Sequence, residues 1–97
     1  MELYRWHRGK RLVNLSKHHL DFFDACDVFD GRPIITGRSD RHGEIRYISV
    51  GKIGNKFYSV VWMRRDTVRD NVKWIISFRR ARRGEERAYR DIHGSRD

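Results

Sequence analysis

In Arg46-Tyr47-Ile48-Ser49-Val50-Gly51-Lys52-Ile53-Gly54-Asn55-Lys56-Phe57-Tyr58-Ser59-Val60-Val61-Trp62-Met63-Arg64 the side chains alternate. Arg46, Ile48 and Val50 fall on one side and Tyr47, Ser49 and Gly51 on the other, the period of a strand. Gly54-Asn55 is a two-residue hairpin turn, and Lys56 to Arg64 runs back through β-branched and aromatic residues that suit a sheet. Downstream, the polar connection Arg65 to Asn71 leads into a strand from Lys73 to Arg79. Strict alternation there puts Trp74, Ile76 and Phe78 on one face and Ile75, Ser77 and Arg79 on the other. Upstream, Ile34 to Thr36 reads as a short strand entered through the turn Asp30-Gly31-Arg32-Pro33. Strands joined by tight turns pair antiparallel.

The flanks change period. Glu2-Leu3-Tyr4-Arg5-Trp6 has the composition of a short edge strand. Leu12, Leu15 and His19 recur at helical spacing, and Asp21 caps a second helix with Phe22, Cys26 and Phe29 on its inner face. These two short helices occupy 8–29 and join near His18-His19-Leu20. After Arg82 the pattern is helical again, with Ala81, Glu85, Tyr89 and Ile92 near one face, and the polar tail His93 to Asp97 frays. The expected architecture is α+β: two N-terminal helices, a small antiparallel sheet and a C-terminal helix, in one domain spanning 1–97.

Composition narrows the partners. Twenty-two Lys and Arg against thirteen Asp and Glu leave a net charge of +9 in 97 residues, a balance that points to nucleic acid. Charged residues reach 36%, yet the twelve per cent of aromatic residues argues for a folded core. No apolar run is long enough to span a membrane, and the basic start MELYRWHRGKR lacks the apolar stretch of a signal peptide. Cys26 is the single cysteine, which excludes an internal disulfide and a cysteine-rich zinc site and suits a reducing cytoplasm. There is no internal repeat and no linker.

The densest chemistry lies in Ile75-Ile76-Ser77-Phe78-Arg79-Arg80-Ala81-Arg82-Arg83, where an apolar strand ends in four arginines. Guanidinium forks bind phosphate and stay protonated, so this reads as a phosphate-binding edge rather than a merely solvated helix start. His18 and His19 sit between the two helices beside Lys17, and His42 lies in the loop Ser39 to Glu44. Imidazole moves protons near neutrality. Adjacent histidines on a helix point about 100° apart, so His18-His19 is a poor metal site, and no metal or cofactor is expected. His19 reads as a capping or packing residue, and Cys26 as a small buried hydrophobe. Trp6, Trp62 and Trp74 divide between core packing and base stacking, with packing favoured, and Tyr89 is either packed or aimed at a phosphate. Asp40 and Glu44 read as ion-pair partners of Arg41 and Arg46. Spacing alone leaves the reaction open.

Taken together, these segments resemble the BrnT family of small ribonuclease toxins from bacterial type II toxin–antitoxin modules. Tyr4-Arg5-Trp6, then Lys10, Asn14-Leu15 and Lys17-His18, look like the family's aromatic-x-Trp and Asn-x-x-Lys-His-Gly pattern. Phe22, Ala25, Val28 and Phe29 look like its next helix. Asp40-Arg41-His42-Gly43-Glu44 with Arg46 and Gly51 resembles the loop and strand beyond. Ile75-Ile76-Ser77, Arg79-Arg80-Ala81, Glu85 and Tyr89 look like its C-terminal signature. Three positions depart from the pattern: His7 stands for a capping Asp, His19 for Gly, and Arg82 for a capping Thr or Ser.

The resemblance implies a RelE-like toxin of the mRNA interferase type, cleaving RNA without metal to inhibit translation and growth. It implies neutralisation by a BrnA-type antitoxin with a ribbon-helix-helix domain, the complex binding operator DNA. On that reading Arg79 and Arg65 stabilise the phosphate and Lys17 or His18 transfers the proton. Arg46, Arg80, Arg82 and Tyr89 hold the RNA. The alternatives are a non-catalytic basic nucleic-acid-binding module and a degenerate toxin that keeps only its antitoxin contact.

Overall fold

The structure, a computed structural model, describes residues 2–41 and 43–94. The elements run β1 (Glu2–Trp6), α1 (Arg8–His18), a 3₁₀ helix (Phe22–Phe29), β2 (Ile34–Arg41), β3 (Glu44–Ile53), β4 (Lys56–Arg64), β5 (Asn71–Arg80) and α2 (Arg83–His93). One sheet holds all five strands in the order β1-β5-β4-β3-β2. β2 to β5 form an antiparallel meander, while β1 lies parallel to β5, with Glu2 opposite Asn71 and Trp6 opposite Ile75.

This corrects the expected α+β arrangement of two N-terminal helices ahead of a small antiparallel sheet. The edge strand read at Glu2 to Trp6 does open the chain, ahead of the helices, but the sheet it joins is five-stranded and mixed, and the second helix is 3₁₀. The missing information was the β1–β5 pairing, which joins the two ends of the chain and leaves no turn signal between them. β2 is also longer than Ile34 to Thr36: it continues through Asp40 and Arg41, and the supposed loop shrinks to a tight hairpin at Gly43, whose φ is 75°. His42 lies outside the described residues, as do 95–97 of the tail; His93 itself belongs to α2.

The core sits between one face of the sheet and the 3₁₀ helix. A 3₁₀ helix repeats every three residues, so Phe22, Ala25 and Val28 stack on one face and are buried. Helical spacing of 3.6 had instead selected Phe22, Cys26 and Phe29. Cys26 stands at the side, half-exposed, with its thiol 3.3 Å from the Phe23 carbonyl. Against the buried face lie Val60 and Trp62 of β4 and Ile75 and Phe78 of β5.

Ile75 and Phe78 share a face only because of a bulge. Val61 pairs with Ser77 and Trp62 with Ile75, so Ile76 is an extra residue that inverts the alternation. The expected grouping of Trp74, Ile76 and Phe78 on one side is therefore replaced. On the opposite face Val50 and Phe57 pack under Tyr89 of α2.

Polar and charged groups inside the sheet are matched. Trp62 donates its indole N–H to Ser49 Oγ at 2.9 Å, and the Ser49 and Thr36 hydroxyls share a 2.9 Å bond. Lys73 places its ammonium within 5.7 Å of the Tyr4, Phe29 and Trp62 ring centroids and pairs with Glu2. Trp6 packs edge-on to Phe22 and Phe23. Trp6 and Trp62 are thus packing residues.

The three departures from the family pattern are accommodated locally. His7 is the N-cap of α1, its Nδ1 accepting the Gly9 N–H at 3.1 Å. His19 takes the left-handed conformation (φ 58°) that ends α1. Arg82 is the N-cap of α2, and Glu85 accepts its backbone N–H at 2.8 Å.

Gly51 marks a close approach between the 3₁₀ helix and the sheet. A Cβ there would stand 3.0 Å from Val28 Cγ1 and 3.1 Å from Ile34 Cγ2. Gly51→Ala should lower unfolding stability by about 1–3 kcal/mol, read from the shift in urea midpoint at constant m.

Candidate active site at the open edge of strand β5

β1 accompanies β5 only as far as Ile75; the chain then leaves the sheet and enters α1. From Ile76 onward the outer edge of β5 has no strand beside it, and α1 packs there. Helical spacing had put Leu12, Leu15 and His19 on one face. That face is not the buried one: Leu12 is 52% exposed and Leu15 38%, and the buried residue of α1 is Asn14, at 6%.

Asn14 serves the edge as a strand backbone would. Its Oδ1 accepts the Phe78 N–H at 3.1 Å, and its Nδ2 donates to the Phe78 carbonyl at 2.8 Å and the Leu20 carbonyl at 2.9 Å. Both edge groups of Phe78 are satisfied, and neither is left as a template for another strand.

Past this junction a cleft of about 560 Å³ opens between the end of α1 and the start of α2. Lys17, His18, Ser77, Arg79, Arg80 and Arg82 line it. A smaller groove of about 160 Å³ continues along α1 past Lys10, Val13 and Ile76. No carboxylate lines either hollow among the described residues.

Glu85, the carboxylate beside this cleft, is fully committed. Arg79 grips it with both Nη atoms, at 2.7 and 2.9 Å, and the pair is largely buried, at 11% and 19% side-chain exposure. Ser59 Oγ donates to the same carboxylate at 2.9 Å, as does the Arg82 N–H. Arg79, helped by the Arg82 backbone and Ser59, pulls the Glu85 carboxyl down to about 2, against the effect of burial. The Arg79 fork is therefore spent on orienting α2, and Glu85 largely balances its charge.

His18 is pushed below its ordinary 6.5, first by burial and then by the positive charges of Lys17, Arg79 and His19. At neutral pH it is an uncharged imidazole surrounded by cations, a group able to accept a proton.

Lys17, His18, Arg79, Arg80 and Arg82 are thus brought together, and Ser77 joins them. Arg80 also donates Nε to the Phe57 carbonyl at 3.3 Å and lies 5.4 Å from the Tyr58 ring centroid. Three other candidates stand elsewhere. Arg65 follows β4, stacked 4.6 Å over Trp74 at the far end of β5. Its N–H bonds to Val72, seven strand residues or roughly 20 Å from Arg79. Arg46 on β3 pairs with Glu44 at 2.9 Å. Tyr89 is 2% exposed, edge-on to Phe57 beneath α2. Asp40 pairs with Arg38 rather than Arg41. Asn14 and Ser77 stand in the quoted motifs without a role, because the bulge and the edge that give them one are tertiary features. Among the described residues no cluster of His, Cys, Asp and Glu is arranged to hold a metal, and no helix is long and apolar enough to cross a membrane.

A five-stranded mixed sheet whose open edge holds a cationic cleft around one neutral imidazole defines a small protein suited to a polyanion. Residues 6–85 match the family model of the ribonuclease toxin BrnT of type II toxin–antitoxin systems, and the chain belongs to that family. Membership implies a protein antitoxin as partner. The 1.1 Å crystal structure of the Brucella abortus ribonuclease toxin BrnT is similar, with a TM-score of 0.63 and 24% identity. The match covers 86% of this chain and all of that one, and at this identity it speaks for the fold. No curated protein matches the chain.

Because Glu85 titrates lower in the folded chain than when unfolded, its contribution is complete above about pH 4.5 and is lost as pH falls toward 2. Glu85→Gln should cost about 2 kcal/mol at pH 7 and remove part of the acid sensitivity of the urea midpoint between those limits.

Proposed function

We propose that the chain cleaves RNA at this cleft without metal, with His18 as the base. In the proposed reaction His18 takes the proton from a 2′-hydroxyl, and the freed oxygen attacks the adjacent phosphorus in line with the departing 5′-oxygen. Lys17 donates a proton to that 5′-oxygen, so the products are a 2′,3′-cyclic phosphate and a free 5′-hydroxyl. Arg80 and Arg82 stabilise the dianionic phosphorane, and Arg79, paired with Glu85, holds the start of α2 in place beside them. The observation that carries this reading is the placement of His18 in a cleft otherwise lined by Lys17, Arg79, Arg80, Arg82 and the Ser77 hydroxyl.

Arg65 is too distant to touch the same phosphate and is assigned instead, with Arg46, to the backbone of RNA running across the sheet. Tyr89 is assigned to packing. The consequence is an interferase that lowers translation and growth. The antitoxin is of BrnA type, with a ribbon-helix-helix domain that takes the complex to operator DNA. An acidic antitoxin segment over Arg80 and Arg82 removes the charge that attracts RNA. The cytoplasm, where RNA and antitoxin meet, is the site of action.

Purified chain incubated with end-labelled RNA in EDTA should leave cyclic phosphate ends, and His18→Ala should slow this about 100-fold or more with the fold intact. The wild-type rate should fall as pH drops below the His18 value, since imidazolium cannot accept a proton. Intact RNA accompanied by a salt-sensitive mobility shift would instead indicate a binding module without chemistry.

A further inference from the structure

We propose that Asn14 is the positioning residue of the cleft: by clamping its side-chain amide to both backbone groups of Phe78 and to the Leu20 carbonyl, it sets Lys17 and His18 against Ser77, Arg80 and Arg82. The proposal deepens the functional reading above, but the placement it describes is testable without RNA.

The helix that carries Lys17 and His18 has little apolar grip on the molecule. Leu12, Val13 and Leu15 all face solvent, and Asn14 is the buried residue of α1. Apolar contacts tolerate sliding and rotation, whereas three hydrogen bonds from one planar amide fix both. Lys17 and His18 stand three and four residues beyond Asn14, hence on the same side of the helix one turn further along. Once Asn14 is seated on Phe78, both side chains emerge beside the residues flanking Phe78, namely Ser77 and Arg79. The bond to Leu20 holds the other end, just after the left-handed turn at His19.

The chemistry of the amide is specific to this task. One acceptor faces an N–H and one NH₂ group faces two carbonyls, so neither a carboxylate nor a hydroxyl can serve all three partners. α1 has a second tie, Arg11 to Asp21 at 2.9 and 2.8 Å, but this joins it to the 3₁₀ helix and not to the strand that bears the arginines.

Asn14→Ala and Asn14→Ser are compared with Arg11→Ala, which loosens α1 at the other tie. The His18 ring is titrated by NMR, with Lys17, His19, Arg79, Arg80 and Arg82 as the charges facing it. The proposal expects the His18 titration to move up toward the ordinary value in both Asn14 variants and to stay in place in Arg11→Ala. On RNA, kcat should fall about tenfold or more, with KM within about twofold and the acid limb moving with His18. Unchanged titration and kcat in a folded Asn14→Ala would overturn the proposal. So would an equal effect from Arg11→Ala, or loss of the fold in both Asn14 variants, which would make Asn14 a general stability residue. If the wild-type chain leaves RNA intact, the functional reading falls by itself and the titrations still decide the role of Asn14.

Discussion

β5 must satisfy two neighbours of unequal length. β4 accompanies it from Lys73 to Arg80, but β1 stops opposite Ile75, so the second half of β5 presents an edge that needs hydrogen-bond partners. The bulge at Ile76 falls at this change of neighbour and turns Phe78 into the core. Asn14 then takes the edge groups of Phe78, and α1 comes to rest where a sixth strand would otherwise lie. The cleft is the space left between that helix and the next turn of chain into α2. Placement of core, helices and cleft all trace to one incompletely paired strand.

The electrostatics follow a similar division. Many of the carboxylates are consumed close to home, as in Asp21 with Arg11, Glu44 with Arg46 and Glu86 with Arg90. The two exposed pairs, Glu44 with Arg46 and Glu86 with Arg90, contribute little stability individually. Their collective effect is on the field, because the acids neutralise arginines away from the cleft and leave the cleft cationic. Glu85 is the exception in kind: it is drawn inside, shared among Arg79, Ser59 and the Arg82 N–H, and fixes α2 at the mouth of the cleft. This network ties Arg79 to α2, while Arg80 and Arg82 line the opening.

Much of the meander was readable from alternation and turn chemistry, since the β3–β4 hairpin at Gly54-Asn55 depends on neighbours in sequence. The caps were readable in part. His7 and Glu85 do by side-chain geometry what the usual capping residues do, a substitution that residue type alone did not reveal. The 3₁₀ segment was misread as an α-helix because Phe22-Phe23-Asp24-Ala25-Cys26-Asp27-Val28-Phe29 carries apolar residues compatible with both periods, and only packing selects the period of three. The leucines of α1 follow a helical stripe, yet the side that is buried is the one bearing Asn14, because the β5 edge needs polar partners.

The sequence by itself determined the basic balance, the paired strands of the meander and the set of arginines, histidines and motifs that mark a ribonuclease toxin family. These are local properties, set by composition, period and turn residues. Which of those residues form one site was decided only by tertiary structure. Lys17 and His18 meet Arg79, Arg80 and Arg82 across some sixty residues of chain, while Arg65 and Tyr89 are carried away from them. That outcome depends on the parallel pairing of β1 with β5 and on the Asn14–Phe78 contact. Both join segments far apart in the chain, and neither leaves a local signal.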